Sequence, residues 1–86
     1  MTYRDLETHL AERLQANAKL RRAGYVATQL MAGELAIERR GHVKGIWRAS
    51  DGMLDWIPAG YSAPLHRVAD IDAAERQTLL ALGLAD

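Results

Sequence analysis

The chain has 86 residues, 49% of them hydrophobic and 26% charged, with 11 Lys and Arg against 11 Asp and Glu and no cysteine. That length suits one domain with a small core, and the composition is that of an ordinary globular protein rather than a disordered one. The missing cysteines exclude a disulfide framework, a thiolate nucleophile and a cysteine metal site, and they fit a reducing, cytoplasmic setting. The zero net charge argues against a protein that lives on nucleic-acid phosphate.

Charge is unevenly spread along the chain. Residues 1–24 hold five basic and three acidic groups, residues 25–50 four and two, and residues 51–86 two and six. The first residues include Arg4, Asp5 and Glu7 where a secretory signal needs an apolar run, and the longest uncharged stretch, 23–33, is too short to span a bilayer, so no membrane partner is expected.

In chain order, Thr2 with Asp5 forms a capping box, after which Leu6, Leu10, Leu14 and Ala18 recur every four residues. The spacing predicts an amphipathic helix of about twenty residues, closed by the cations Arg21 and Arg22 and by Gly24 as the residue beyond its end. Leu20 falls off the apolar stripe and is expected to pack under the segment that follows. Residues 25–32 are β-branched at one end and helix-favouring at the other, and 25–29 read as extended. Residues 34–38 then alternate, with Leu35 and Ile37 inward and Glu34, Ala36 and Glu38 outward. Arg39-Arg40-Gly41 reads as a three-residue loop that pairs Ile37 with Val43 and Leu35 with Gly45, and His42 stands opposite Glu38 as an outward cross-strand pair.

Residues 43–58 predict a β-hairpin turned at Asp51-Gly52. A type I′ turn there pairs Ser50 with Met53, Ala49 with Leu54, Arg48 with Asp55, Trp47 with Trp56 and Ile46 with Ile57. The alternative three-residue loop sets Trp47 against Asp55, so cross-strand chemistry favours the shorter turn. Val43, Trp47, Ala49, Leu54 and Trp56 then share the core face, and Lys44, Ile46, Arg48, Asp55 and Ile57 the other. After a turn-rich loop over 59–64, residues 65–68 read as a short fourth strand or an extended lead-in. Asp72 with Glu75 forms a second capping box, and 73–82 predict a helix stopped by Gly83, its buried side supplied by Leu79 and Leu82 with Ala74 or Thr78 behind them.

The expected fold is α+β: a single domain over 1–86 in which a three-stranded antiparallel sheet, extended to a fourth short strand if 65–68 join it, is covered on one face by an N-terminal and a C-terminal helix. His9, His42 and His66 lack metal-ligand spacing, so no metal is expected. No nucleophile motif, phosphate-cradling loop or dinucleotide fingerprint occurs, which predicts neither catalytic residues nor a cofactor. Trp47 and Trp56 read as core, and Tyr61, in a loop bounded by Pro and Gly, as an exposed ring. On the outward face Ile46 and Ile57 sit side by side between charges, the pattern of a modest protein contact. Arg21-Arg22 and Arg39-Arg40 are explained by a helix C-terminus and a solvated turn.

The helix, three strands, helix order is similar to that of double-stranded-RNA-binding domains, and three strands with a helix to plant-type DNA-binding sheets and integrase arm domains. The likeness is one of topology. Where the RNA-binding family carries a lysine-rich run at the start of its last helix, this chain has Asp70, Asp72 and Glu75. In kind, the chain resembles accessory or inhibitor proteins of phages and mobile elements, anti-CRISPR inhibitors among them. The function expected is that of a non-catalytic module that binds another protein through Ile46, Arg48, Asp55, Ile57, Lys44 and Tyr61. A structural homodimer using the same face is one alternative. A nucleic-acid module using Lys44, Arg48, Arg39, Arg40 and the aromatic loop is the other.

Overall fold

The structure is a computed structural model and describes residues 5–31 and 33–85. Among these described residues three helices and five strands follow in the order α1 (Leu6–Gln15), α2 (Ala18–Arg22), β1 (Tyr25–Gln29), β2 (Glu34–Arg39), β3 (His42–Ser50), β4 (Met53–Pro58), β5 (His66–Val68) and α3 (Ile71–Ala81). The strands form one antiparallel meander in sequence order. Each strand is therefore the neighbour of the next, and no connection has to cross the sheet. The α+β class is as expected; the sheet is wider, because 25–29 and 66–68 both pair as strands, and with a third helix the topology departs from the double-stranded-RNA-binding order.

The single long helix expected at the start is broken in two. Asn17 has extended backbone, φ −75° and ψ 120°, and its side chain caps α2 by accepting from the Leu20 N–H. The break rotates Leu20 out of the α1 stripe and into the core, where it is 2% exposed. Asp5, with extended backbone, occupies the N-cap position of α1, so Asp5 takes the place read for Thr2, which lies outside the described residues. Gly24 follows α2 at φ 85°, in the left-handed region that a glycine beyond a helix end adopts most easily.

The β3–β4 hairpin has the expected register at all five predicted pairs. Asp51 at φ 54° and Gly52 at φ 75° make the I′-type turn whose twist suits two right-twisted strands. The β2–β3 turn is shorter than expected: Arg39 pairs with His42, leaving Arg40 (φ 53°) and Gly41 (φ 79°) as two central residues. The register then slips by one at a bulge, so Glu38 pairs with Val43 and Ile37 with Gly45, and Lys44 is the extra residue. Two consequences follow. Leu35 and Ile37 keep the face of Trp47, while Val43 moves to the outer face opposite Glu38 and is 40% exposed instead of joining the core. His42, for its part, faces Arg39 rather than Glu38.

The helices cover one face of the sheet. Leu10, Leu14, Leu20, Leu35, Ile37, Trp47, Leu54 and Trp56 share a core with Ile71 and Ala74 of α3. Within it the Trp47 indole N–H donates to the Thr78 hydroxyl at 2.8 Å, and that hydroxyl donates to the Ala74 carbonyl at 2.7 Å, so both buried polar groups are satisfied. The last helix starts earlier than its predicted capping box: Asp70 is the N-cap and accepts from the Ala73 N–H at 2.7 Å. Asp72 and Glu75 instead meet Arg13 of α1, clipping the two helices together. The buried stripe of α3 is Ile71, Ala74 and Thr78, with Leu79 and Leu82 only half-buried.

Candidate functional site

Two surfaces divide the residues expected to make contacts. The first is an open cleft of about 740 Å³ on the helix side of the sheet, where the C-terminal turn of α3 stands away from β4 and the loop over 59–65. Its shape comes from the chain locally. The bulge brings Lys44 to the cleft, and its carbonyl accepts from the Ala59 N–H at 3.0 Å. The Tyr61 N–H closes a turn onto the Pro58 carbonyl at 3.0 Å, and the Leu65 N–H returns to the Trp56 carbonyl at 2.8 Å. The loop is thus pinned at both ends, and its apolar side chains are presented between the two anchors.

Trp56 forms the floor. Its ring lies directly on Gly45, where a Cβ would come within 2.3 Å of the indole, so this close approach requires glycine. Behind it Trp47 packs at 5.2 Å between ring centroids, tilted by 46°. Around the rim Tyr61 is 58% exposed, Leu65 54% and Leu80 63%. Polar groups enter from Lys44, His66, Gln77 and Tyr25, whose ring carries the Arg39 guanidinium 4.8 Å above its centroid. No acidic side chain is among the described residues lining the cleft.

The second surface is the helix-free face of the sheet. Cross-strand pairing puts Glu34, Arg48, Asp55 and Arg67 in one row across β2 to β5, and Thr28, Ala36, Ile46 and Ile57 in the next row across β1 to β4. Ile46 and Ile57 are half-buried by their neighbours and Ala36 is fully buried. Asp55, expected as an outward contact residue, does face this side but is only 5% exposed. Among the described residues its Oδ1 accepts no hydrogen bond, and the Nε of Arg67 stands 3.6 Å away, with Arg67 itself donating to the Ser50 carbonyl.

Of the six predicted contact residues, Lys44 and Tyr61 therefore come together at the cleft, and Ile46, Arg48, Asp55 and Ile57 on the opposite face. The cations of the nucleic-acid alternative are divided too, with Arg39 over Tyr25, Arg40 in a turn and Arg48 on the outer face. Sequence reasoning missed Trp56, Leu65, Leu80 and Gln77 as cleft residues. The readable signal was Leu79-Leu80 beside Leu82, because a short helix with one buried stripe cannot hide all three leucines. Among the described residues no three His, Asp or Glu side chains cluster so as to hold a metal ion, and no helix is long and apolar enough to cross a membrane. In comparisons with known proteins, the chain matches no family model, no curated protein and no solved structure at a significant level.

Proposed function

We propose that this protein is a small, non-catalytic module that binds another protein, and that it holds its partner in the cleft floored by Trp56. The observation that carries this reading is the convergence of Tyr61, Leu65 and Leu80, each more than half exposed, on one concavity. Scattered apolar side chains on a surface are ordinary, but three around an aromatic floor leave a dewettable patch that a partner's side chain can fill. Aromatic and leucine anchors of this kind carry most of the energy of a small interface, while polar groups at the rim set register.

The charge of the rim supports one choice of occupant. Lys44 and the Arg39 guanidinium on Tyr25 stand beside a lining without carboxylates, so the complementary segment is short and acidic, with one Leu, Phe or Trp side chain entering the cleft. We extend the proposal to an accessory or inhibitor role in the cytoplasm, of the kind phages and mobile elements carry, in which occupying a partner's surface is itself the activity.

A displayed library of short linear peptides, selected on the full chain, tests the reading. Enriched sequences are expected to set Leu, Phe or Trp beside Asp or Glu and to change tryptophan fluorescence on binding. Leu80→Glu, at an exposed site, should leave the circular dichroism unchanged and weaken the selected peptide by about tenfold or more, the effect of roughly 1.4 kcal/mol. Selection without enrichment, or peptides that bind Leu80→Glu and Leu65→Glu as well as the parent chain, would remove the cleft from consideration.

A further inference from the structure

We propose that the helix-free face of the sheet docks a second copy of this chain across a two-fold axis running parallel to β3 and β4, midway between them. The inference rests on the other face from the cleft and on a different observation, the order of charges in one row. Read across β2, β3, β4 and β5, the row is Glu34, Arg48, Asp55, Arg67, alternating in sign. A two-fold axis parallel to the strands reverses the row left to right without shifting it along them. An even, alternating row placed over its own reversal meets opposite charge at each of its positions. Glu34 faces Arg67 of the second copy, and Arg48 faces its Asp55. A row with any one sign changed loses this property.

The neighbouring row obeys the same operation. Ile46 on β3 and Ile57 on β4 are direct cross-strand partners, so the axis between them sets Ile46 over Ile57 of the second copy and Ile57 over its Ile46. Four half-buried isoleucine side chains then meet at the centre, flanked by the charged row, which is the apolar-centre, polar-rim arrangement of a specific interface. Two sheets packed this way lie about 10 Å apart with strands aligned within about 30°, a separation that arginine side chains bridge readily.

Asp55 gives the row an energetic reason to be covered. Its carboxylate is 5% exposed and its Oδ1 has no hydrogen bond among the described residues, while Arg48, its direct cross-strand partner, is exposed on the same face. A buried carboxylate oxygen that has an ion pair with Arg67 at 3.6 Å but no hydrogen bond is costly in a single copy. Docking brings a second guanidinium, Arg48 of the second copy, over it.

Sedimentation equilibrium of the full chain decides the matter. The parent protein is expected at twice its 9.5 kDa mass, moving toward 9.5 kDa as salt is raised. Glu34→Arg and Arg67→Glu each set like charges opposite one another at two positions and should sediment as single copies. Mixed in equal amounts they restore opposite signs at all four positions, and the doubled mass should return as a heterodimer. A parent chain that stays single at about 1 mM, the weak end of specific association, would overturn the proposal. So would either single variant remaining doubled, or a mixture that does not re-associate. Should Arg67→Glu unfold by circular dichroism, because Arg67 is the cation nearest Asp55, Ile46→Asp replaces it: a folded single copy supports the interface and a folded double copy refutes it.

Discussion

Thr78 carries the most consequence per atom in the core. It has no exposed surface, accepts from the Trp47 indole and donates to the Ala74 carbonyl, and so ties the centre of the sheet to α3 through one hydroxyl. Thr78→Val keeps the shape and removes the acceptor, leaving a buried indole N–H unpaired. The expected loss is about 1–3 kcal/mol in urea unfolding, with Thr78→Ser retaining the bond and losing only the methyl packing. Gly45 makes the second residue-scale case. A Cβ there would lie 2.3 and 2.5 Å from two indole carbons of Trp56, both in a rigid ring, so neither side can yield cheaply. Gly45→Ala should cost about 1–3 kcal/mol through overpacking and tilt Trp56 out of the cleft floor, which near-ultraviolet circular dichroism would register.

At the scale of elements, the hairpin and the glycine stops after α2 and α3 were legible and the helix starts were not, for different physical reasons. Trp47 against Trp56 and Arg48 against Asp55 are pairings that only one register provides, and Asp51-Gly52 fixes that register from the turn. The β2–β3 bulge had no such signature: Lys44 reads the same in a bulge as in a regular strand, and Val43 looks like core until the slip is known. Asp70, Asp72 and Glu75 offered several spacings for a cap, and the choice among them was made by a long-range partner, Arg13 on α1. That clip has a pH signature. Arg13 holds the Asp72 carboxyl below the usual aspartate value, through a direct hydrogen bond first and its charge second. A depressed native pKa means that unfolding takes up protons, so the contribution is complete above the unfolded value of about 3.9 and is lost as pH falls through the native one. Asp72→Asn should therefore lower the melting temperature slightly near pH 7, by the small contribution of an exposed pair, and converge with the parent chain in acid, so that its decline below about pH 4 is shallower by that same amount. An unchanged acid limb in thermal melts would show that the clip does not couple the helices.

For the molecule as a whole, class and core face could be read from alternation alone, since Leu35, Ile37, Trp47, Leu54 and Trp56 all face the helices. The cleft could not, because it is made by how far α3 stops short of the loop over 59–65, a property of packing that no local pattern encodes. The same holds for the way the sheet ends. A five-stranded meander leaves β1 and β5 as edges, and an open edge is a template for other chains. The short β5, carrying Arg67, offers little to pair with. β1 is longer, and Val26, Leu30 and Met31 at or just beyond it are 55%, 49% and 78% exposed. Because the Leu30 N–H donates to Glu34 on β2, the carbonyl of Ala27 is directed to the free side of the strand. There the Gln15 side chain donates to it at 3.0 Å, while Gln29 donates to Thr8, so α1 closes the edge with two side-chain hydrogen bonds. Gln15→Ala should barely change the melting temperature, since Gln15 lies at the surface and the freed carbonyl can turn to water. It should nevertheless accelerate thioflavin-positive aggregation on mild heating, because an unguarded carbonyl in mid-strand beside Val26, Leu30 and Met31 is what an incoming strand needs. If Gln15→Ala aggregates no faster than the parent chain while Gln29→Ala does, the guard is the outer hydrogen bond to Thr8 and not the one at the centre of β1.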